Sequence, residues 1–141
     1  MRNIILIVFS IILGAFACSS LNIGSQGESE KIKKLITGRW VLSTDERFIV
    51  EIRNDTMAYY YDGDLEYKNP FVLSIKDSIS YYEKEGNVFN FMKDDKLSSK
   101  VEIKEFDTLD KDTVVNTVVY LDEKGMDLIA RNRSISFSKL K

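Results

Sequence analysis

Two runs of tyrosine are the first residues of this chain that suggest binding chemistry. They are Tyr59-Tyr60-Tyr61 and Tyr81-Tyr82. Because alternate residues of a strand share a face, Tyr59 and Tyr61 point to one side of a strand and Tyr60 to the other. If Tyr59, Tyr61 and Tyr81 face the inside of a barrel, their rings and hydroxyl groups suit a small hydrophobic or sugar-like ligand. The alternative is structural, because tyrosine favours half-buried β-strands without any ligand.

A group of carboxylates follows the first tyrosine run. The segment Asp62-Gly63-Asp64-Leu65-Glu66 places three carboxylates within five residues, at alternate positions that would suit calcium. The twelfth residue counted from Asp62 is Leu73, so the glutamate that completes an EF-hand loop is missing. An Asp-Gly hairpin turn with solvated charges explains the segment better. We therefore predict no metal site here, and a surface calcium site is the alternative.

The residue types that are scarce or missing exclude several classes of protein. The 141 residues contain no histidine and one cysteine. Without histidine there is no Ser-His-Asp triad, no Cys-His dyad and no imidazole-bound zinc. A single cysteine allows neither an internal disulfide nor a Cys-x-x-Cys pair, and a net charge of -2 argues against binding nucleic acid. We predict a protein that is not an enzyme, uses no cofactor and binds no nucleic acid.

The N-terminal residues have the form of an export signal. Met1-Arg2-Asn3 carries one positive side chain, and residues 4–17 are apolar except for Ser10 and Gly14. This run is shorter than the roughly 20 apolar residues that span a bilayer. Its length is that of the apolar core of a signal peptide. It ends in Ala15-Phe16-Ala17-Cys18, with small residues at the positions that a signal peptidase reads.

This ending resembles the lipobox of bacterial lipoproteins. In that family the cysteine receives a diacylglycerol thioether, becomes the new N-terminus and is usually N-acylated. The resemblance implies lipidation of Cys18, the only cysteine of the chain, and two or three acyl chains hold a protein firmly to a membrane. Two alternatives stay open. Ala15-x-Ala17 is also an ordinary cleavage site that would release a secreted protein, and the segment could be an uncleaved anchor.

The same resemblance implies a location and a division of the chain. In Gram-negative lipoproteins an aspartate directly after the cysteine favours retention in the inner membrane, and this chain has Ser19 there. We therefore expect an outer-membrane anchor and a domain that faces the periplasm. The predicted parts are a signal peptide over residues 1–17, a lipidated N-terminus with a flexible tether over 18–30, and a folded domain over 31–141. Small polar residues and glycines favour flexibility in the tether.

Beyond residue 38, apolar and polar residues alternate in many short segments. Phe48, Val50 and Ile52 form one such apolar row, separated by other side chains. Turn-forming pairs such as Asn54-Asp55 and Asp62-Gly63 divide the segments. A period of two over short segments about 8–12 residues apart is typical of antiparallel strands in a sandwich or barrel. We predict an all-β domain with eight to ten strands.

A short helical segment and a Gly-x-Trp motif precede these strands. Ile32, Leu35 and Ile36 share one face of a helix of one or two turns over residues 30–36. The motif Gly38-Arg39-Trp40 follows at once. A Gly-x-Trp that opens the first strand of an all-β chain resembles the signature of the lipocalin (calycin) family. The resemblance implies an antiparallel up-and-down barrel.

The lipocalin resemblance also assigns roles to four residues. In that family the tryptophan closes one end of the barrel, and a basic side chain from the last strands lies over its ring. Such a cation–π contact contributes about 0.5–2 kcal/mol. The resemblance implies that Gly38 and Trp40 close the barrel here, with Arg131 or Arg133 over the ring. This role is structural.

Two functions are compatible with these patterns. The first is a membrane-anchored, non-catalytic envelope lipoprotein whose lipocalin-like barrel binds a small hydrophobic ligand. The second is an interaction or inhibitor protein that contacts another envelope protein and binds no small molecule. An exposed apolar patch would favour the second function. The first function would be excluded if the barrel were packed solid by its phenylalanines, namely Phe48, Phe71, Phe89, Phe91 and Phe137.

Overall fold

Eight antiparallel strands form a closed barrel in the computed structural model, which describes residues 23–76, 88–93, 96–97 and 101–141. Each wall strand pairs with the next wall strand along the chain, and the last pairs with the first. This confirms the predicted all-β, up-and-down barrel, at the lower end of the predicted strand number. The wall strands are β1 (Gly38–Leu42), β2 (Asp45–Arg53), β3 (Thr56–Tyr61), β4 (Asp64–Ile75), β8 (Val101–Asp107), β9 (Asp112–Leu121), β10 (Gly125–Ala130) and β11 (Arg133–Lys139).

Three two-residue strands lie between β4 and β8. They are β5 (Phe89–Asn90), which pairs with β9, and β6 (Met92–Lys93) and β7 (Lys96–Leu97), which pair with each other. Some of the predicted functional residues lie outside the described residues. These are Tyr81 and Tyr82, together with Cys18 and the whole predicted signal peptide.

One helix, α1 (Ile23–Ile36), precedes the barrel. It is longer than the one or two turns predicted over residues 30–36, so the predicted tether is helical from Ile23 onward. The burial of Ile32, Leu35 and Ile36 explains the extra length, because a docked turn removes the nucleation cost and lets a helix extend. Residues 32–141 form one compact unit. No helix within the described ranges has the length and apolar character needed to cross a bilayer.

Two tight hairpins in the wall follow directly from turn chemistry. Asp62-Gly63 joins β3 to β4 and Arg131-Asn132 joins β10 to β11, each as a two-residue connection. All four residues have positive φ, between 46° and 92°. Positive φ at both central residues is the type I′ turn, whose twist matches that of antiparallel strands. The hairpin at Asp62-Gly63 is therefore a turn, as its sequence predicted.

Pro70 lies within β4, where that strand exchanges one neighbour for another. Residues 64–70 pair with β3, and residues 71–75 pair with β8. Pro70 thus stands where β4 changes from one ladder to the other, with Phe71 opposite Glu105 as the first pair to β8. A proline has no N–H to donate, and at this change-over no ladder bond to β8 is lost.

The barrel has two different ends. At the helix end, α1 leads into β1, and Gly38 lies opposite Ile52 near the β2–β3 hairpin. The far end carries the connections β1–β2, β3–β4, β8–β9 and β10–β11. Inward-facing side chains alternate along each strand and fill the helix end with the large buried residues, Trp40 among them.

Candidate ligand-binding site

Trp40 closes the helix end of the barrel and also caps α1. Its indole Nε1–H donates a hydrogen bond of 2.7 Å to the carbonyl oxygen of Ile36. The Lys139 ammonium donates a hydrogen bond of 2.6 Å to the carbonyl oxygen of Leu35. The last carbonyls of a helix lack partners within the helix. Side chains from β1 and β11 therefore satisfy the end of α1 and fix it to the barrel.

The basic side chain over the Trp40 ring is Lys139, not Arg131 or Arg133. The Lys139 Nζ lies 4.8 Å from the ring centroid, because Lys139 is the register partner of Trp40. Arg133 lies six residues earlier on β11, about 20 Å away along the strand, and Arg131 is in the far-end hairpin. Both arginines are exposed. A cation–π contact with Trp40 is therefore present, but Lys139 makes it, and the prediction of Arg131 or Arg133 was wrong.

Gly38 makes room for this arrangement. Its φ is +137°, in the region that favours glycine, and a Cβ at this position would lie 2.8 Å from Cε of Lys139. The missing side chain lets Lys139 cross Gly38 to reach Leu35. Burial lowers the pKa of Lys139, and the charge of Glu123 partly opposes this effect. Gly38, Trp40 and Lys139 together form the closure of the helix end.

An internal cavity of about 270 Å³ lies between the middle of the barrel and its far end. Phe48 and Phe137 form part of its wall and do not fill it, so the interior is not packed solid. At about 30 Å³ for each water-sized group, the space holds a ligand of about nine non-hydrogen atoms. The wall consists almost entirely of apolar and aromatic side chains: Leu42, Phe48, Val50, Met57, Tyr59, Asn116, Met126, Leu128, Ile135 and Phe137.

Tyr59 is the predicted ligand-binding tyrosine that lines this cavity. Its ring stacks on Tyr67 with centroids 4.5 Å apart and meets Phe48 at 6.0 Å. Its hydroxyl contacts the sulfur of Met57 at 4.0 Å, a weak acceptor. The hydroxyl also lies near the carboxyl group of Glu105, which takes part in raising the pKa of Tyr59 by its charge and by hydrogen bonding.

Tyr61 does not line the cavity. It is the last residue of β3, next to the Asp62-Gly63 turn, and its ring is exposed. The guanidinium of Arg47 lies 4.9 Å from its centroid. A bulge between Tyr59 and Tyr60 shifts the pairing with β4. The extra residue of that bulge is Glu66 on β4, so the alternation along β3 is unbroken and Tyr61 keeps the face of Tyr59. Tyr61 misses the cavity because it lies at the exposed end of β3, at the far end of the barrel.

Three buried polar side chains face the interior from β4, β8 and β9. They are Asn69, Glu105 and Asn116, with 1%, 5% and 7% of their surface exposed. Asn69 donates to Glu105 Oε1 at 2.6 Å, and Asn116 donates to Glu105 Oε2 at 3.4 Å. The carbonyl oxygen of the Asn69 side chain accepts two hydrogen bonds from Thr108, at 2.8 and 3.1 Å. Asn69 is thus bonded at both its side-chain nitrogen and its side-chain oxygen, whereas the bond from Asn116 to Glu105 is long.

Glu105 is a buried carboxylate without a cationic partner. Asp45, Glu51 and Glu102 each form an ion pair with a nearby basic side chain, whereas Glu105 forms none with any residue that the structure describes. Burial, followed by the negative charge of Glu105, raises the pKa of Tyr59 well above its ordinary value. Sequence reasoning did not single out Glu105. The available signal was its inward position two residues after Ile103, in a strand that otherwise alternates regularly.

A second cavity, of about 350 Å³, lies at the helix end. It is lined by Lys33, Ile36, Thr37, Ile52, Asn54, Phe71 and Leu73. None of these residues is a buried polar side chain. The cavity inside the barrel, with its polar group on one side, is therefore the better candidate for a specific site.

Comparison of the chain with protein-family models, with curated proteins and with solved structures finds no match. The described residues also contain no group of three or more acidic, histidine or cysteine side chains that could hold a metal ion. The features that bear on function are thus the closed eight-stranded barrel and the cavity within it.

Proposed function

We propose that this chain is a non-catalytic lipoprotein of the bacterial cell envelope that binds a small hydrophobic ligand in its lipocalin-like barrel. A lipid on Cys18 anchors it to the outer membrane, with the barrel facing the periplasm. The observation that supports ligand binding is the apolar cavity of about 270 Å³. Its volume is slightly below the roughly 300–1,000 Å³ typical of small-molecule sites, which favours a small ligand.

The route into the cavity follows from the two ends of the barrel. Trp40 and Lys139 block the helix end through their bonds to α1. Leu42, Ile135 and Leu128 extend the cavity wall toward the far end. The ligand therefore enters at the far end and lies with its apolar part against these side chains.

Native mass spectrometry tests ligand binding. The acyl-free chain, purified from its own host, is expected to carry a reproducible bound mass. Leu128→Phe adds bulk to a residue of the cavity wall and is expected to remove that mass. Val115→Phe adds similar bulk on the outer surface of β9, where Val115 is exposed, and is expected to retain it. A wild-type chain free of any bound molecule would overturn this function.

Metabolic labelling tests the anchor. Labelled palmitate is expected on the wild-type chain, and Cys18→Ala is expected to abolish the label and release the protein from membranes. An unlabelled wild-type chain would refute lipidation.

An outer apolar surface supports the second function, binding to another envelope protein. Val72, Phe106 and Val115 face outward on β4, β8 and β9, with 67%, 45% and 42% of their surface exposed. Val72 and Val115 lie on either side of Lys104 in the pairing, and Phe106 lies two residues along β8 on the same outer face. Exposed apolar clusters mark interaction sites. If the second function is correct, chemical crosslinking in cells is expected to capture a complex with another envelope protein. Phe106→Ser, on the outer surface, is expected to abolish that complex, and Leu128→Phe, in the cavity wall, is expected to retain it.

A further inference from the structure

The unusual feature of the barrel interior is the carboxyl group of Glu105, which is buried with 5% of its surface exposed. A buried carboxylate costs several kcal/mol unless a cation or enough hydrogen bonds compensate it. Glu105 has two amide donors, of which the one from Asn116 is long at 3.4 Å, and the neutral phenol of Tyr59 also lies near it. Within residues 23–76 and 101–141 no lysine or arginine forms an ion pair with it. The interior therefore presents a carboxyl group that no described basic side chain neutralises.

Glu105 lies one side chain away from the cavity. Asn116 belongs to the cavity wall, and its amide also donates to Glu105 Oε2. Tyr59, on the same wall, is close enough for the charge of Glu105 to act on its phenol. A ligand donor that replaces the long Asn116 bond would reach the carboxylate directly, while the Asn69 bond at 2.6 Å continues to hold it.

We infer that the barrel selects small amphiphiles with a cationic amine head, whose ammonium group binds the Glu105 carboxylate while the apolar tail fills the cavity. This inference rests on the proposed function and specifies its ligand class. Ammonium–carboxylate hydrogen bonds are about twice as strong as neutral ones. A carboxylate head would meet the charge of Glu105 in a low-dielectric interior and be repelled. A neutral alcohol would gain the tail contacts alone.

The size of the cavity selects the probe. Space for about nine non-hydrogen atoms fits n-octylamine, which has eight carbons and one nitrogen. 1-Octanol has the same tail and a neutral head, and octanoate has the same length and a negative head. These three molecules therefore separate the contribution of the tail from that of the head group.

Isothermal titration calorimetry of the chain that begins at residue 19, which contains every described residue, tests the inference. We expect octylamine to bind at least tenfold more tightly than octanol, and octanoate to bind more weakly than octanol. In Glu105→Gln, the preference for octylamine over octanol is expected to fall below threefold. Glu102→Gln is the matched control, because Glu102 lies on the same strand and pairs with Lys104 on the outer surface. It is expected to keep the full preference.

A spectroscopic measurement on the wild-type chain keeps the test valid if Glu105→Gln fails to fold. The ¹³C shift of the Glu105 carboxyl group is expected to change on saturation with octylamine and to change much less with octanol. Equal binding of all three probes, or a preference that survives in Glu105→Gln, would overturn the amine selectivity and leave the proposed function intact. Failure of all three probes to bind would overturn both.

Discussion

Replacement of Lys139 by methionine tests how the helix end of the barrel is closed. Lys139→Met keeps an unbranched apolar side chain and removes the ammonium. The variant loses the hydrogen bond of 2.6 Å to the carbonyl oxygen of Leu35. A hydrogen bond from a charged group contributes about 1.5–3 kcal/mol to the free energy of unfolding. The variant also loses the contact of 4.8 Å with Trp40, worth about 0.5–2 kcal/mol. Relief of the buried charge, which lowers the pKa of Lys139, offsets part of this. We expect a net loss of about 1–3 kcal/mol.

Urea denaturation of the chain from residue 19 measures this loss. The midpoint is expected to fall with no change in the slope, since the surface exposed on unfolding stays the same. For a domain of this size, the melting temperature is expected to fall by about 4 °C for each kcal/mol. Trp40 is the only tryptophan, so its emission reports directly on the closure. We expect a red shift in Lys139→Met, because the ring loses part of its cover.

Two control variants determine whether the effect belongs to Lys139. Lys141→Met removes the same charge from an exposed residue two positions later, and we expect a change within about 0.5 kcal/mol. Arg133→Met removes a cation from the opposite end of β11, and we expect unchanged Trp40 emission. A loss below 0.5 kcal/mol in Lys139→Met would refute the reasoning. An emission shift in Arg133→Met in place of Lys139→Met would also refute it.

Three further variants test the closure and the cavity wall by urea denaturation. Gly38→Ala is expected to cost about 1–3 kcal/mol because of its φ of +137°, and less when Lys139 is also alanine. Equal costs in the two backgrounds would contradict the contact. Trp40→Phe leaves the Ile36 carbonyl without its bond of 2.7 Å and is expected to cost at least about 1–3 kcal/mol; an unchanged midpoint would contradict this. In Tyr59→Phe, the free energy of unfolding is expected to fall less steeply above pH 10 than in the wild type.

The sign of the Tyr59 effect follows from its raised pKa. The folded state keeps the phenol proton at a pH where the unfolded chain loses it, so the stabilisation is complete below pH 10 and declines above it. The slope is up to about 1.4 kcal/mol per pH unit for one group. Stability of the wild type should therefore fall more steeply than that of Tyr59→Phe between pH 10 and 11. Parallel curves would show that the Tyr59 phenol is not protected by the fold.

Much of the barrel could be predicted because its elements are encoded locally. Alternation places Phe48, Val50 and Ile52 on one face of β2, and Asp62-Gly63 has the residues that a type I′ turn requires. The sequence patterns did not place Pro70 inside β4, because tolerance of a proline within a strand depends on which strand lies beside it. The length of α1 was also missed. Its low intrinsic propensity, with Gly24 and Gly27, argues against a helix, and the docked residues at its C-terminal end decide otherwise.

The site could be predicted only in part for a similar reason. Gly38 and Trp40 form a local motif, and both lie in the closure that the resemblance implied. The cation over the ring is set by the pairing of β1 with β11, which joins residues 99 positions apart. Spacing within the last strands could not distinguish Lys139 from Arg131 or Arg133 without that register.

The sequence by itself determined the type of each segment: alternation and turn residues specify strands because each depends on neighbours within a few positions. Tertiary structure alone decided which side chains meet in the interior. Glu105, Asn116 and Tyr59 come from three strands, and only the closure of the barrel places a buried carboxylate beside an apolar cavity. Register between distant strands makes that choice, because a shift of one residue turns a side chain to the opposite face.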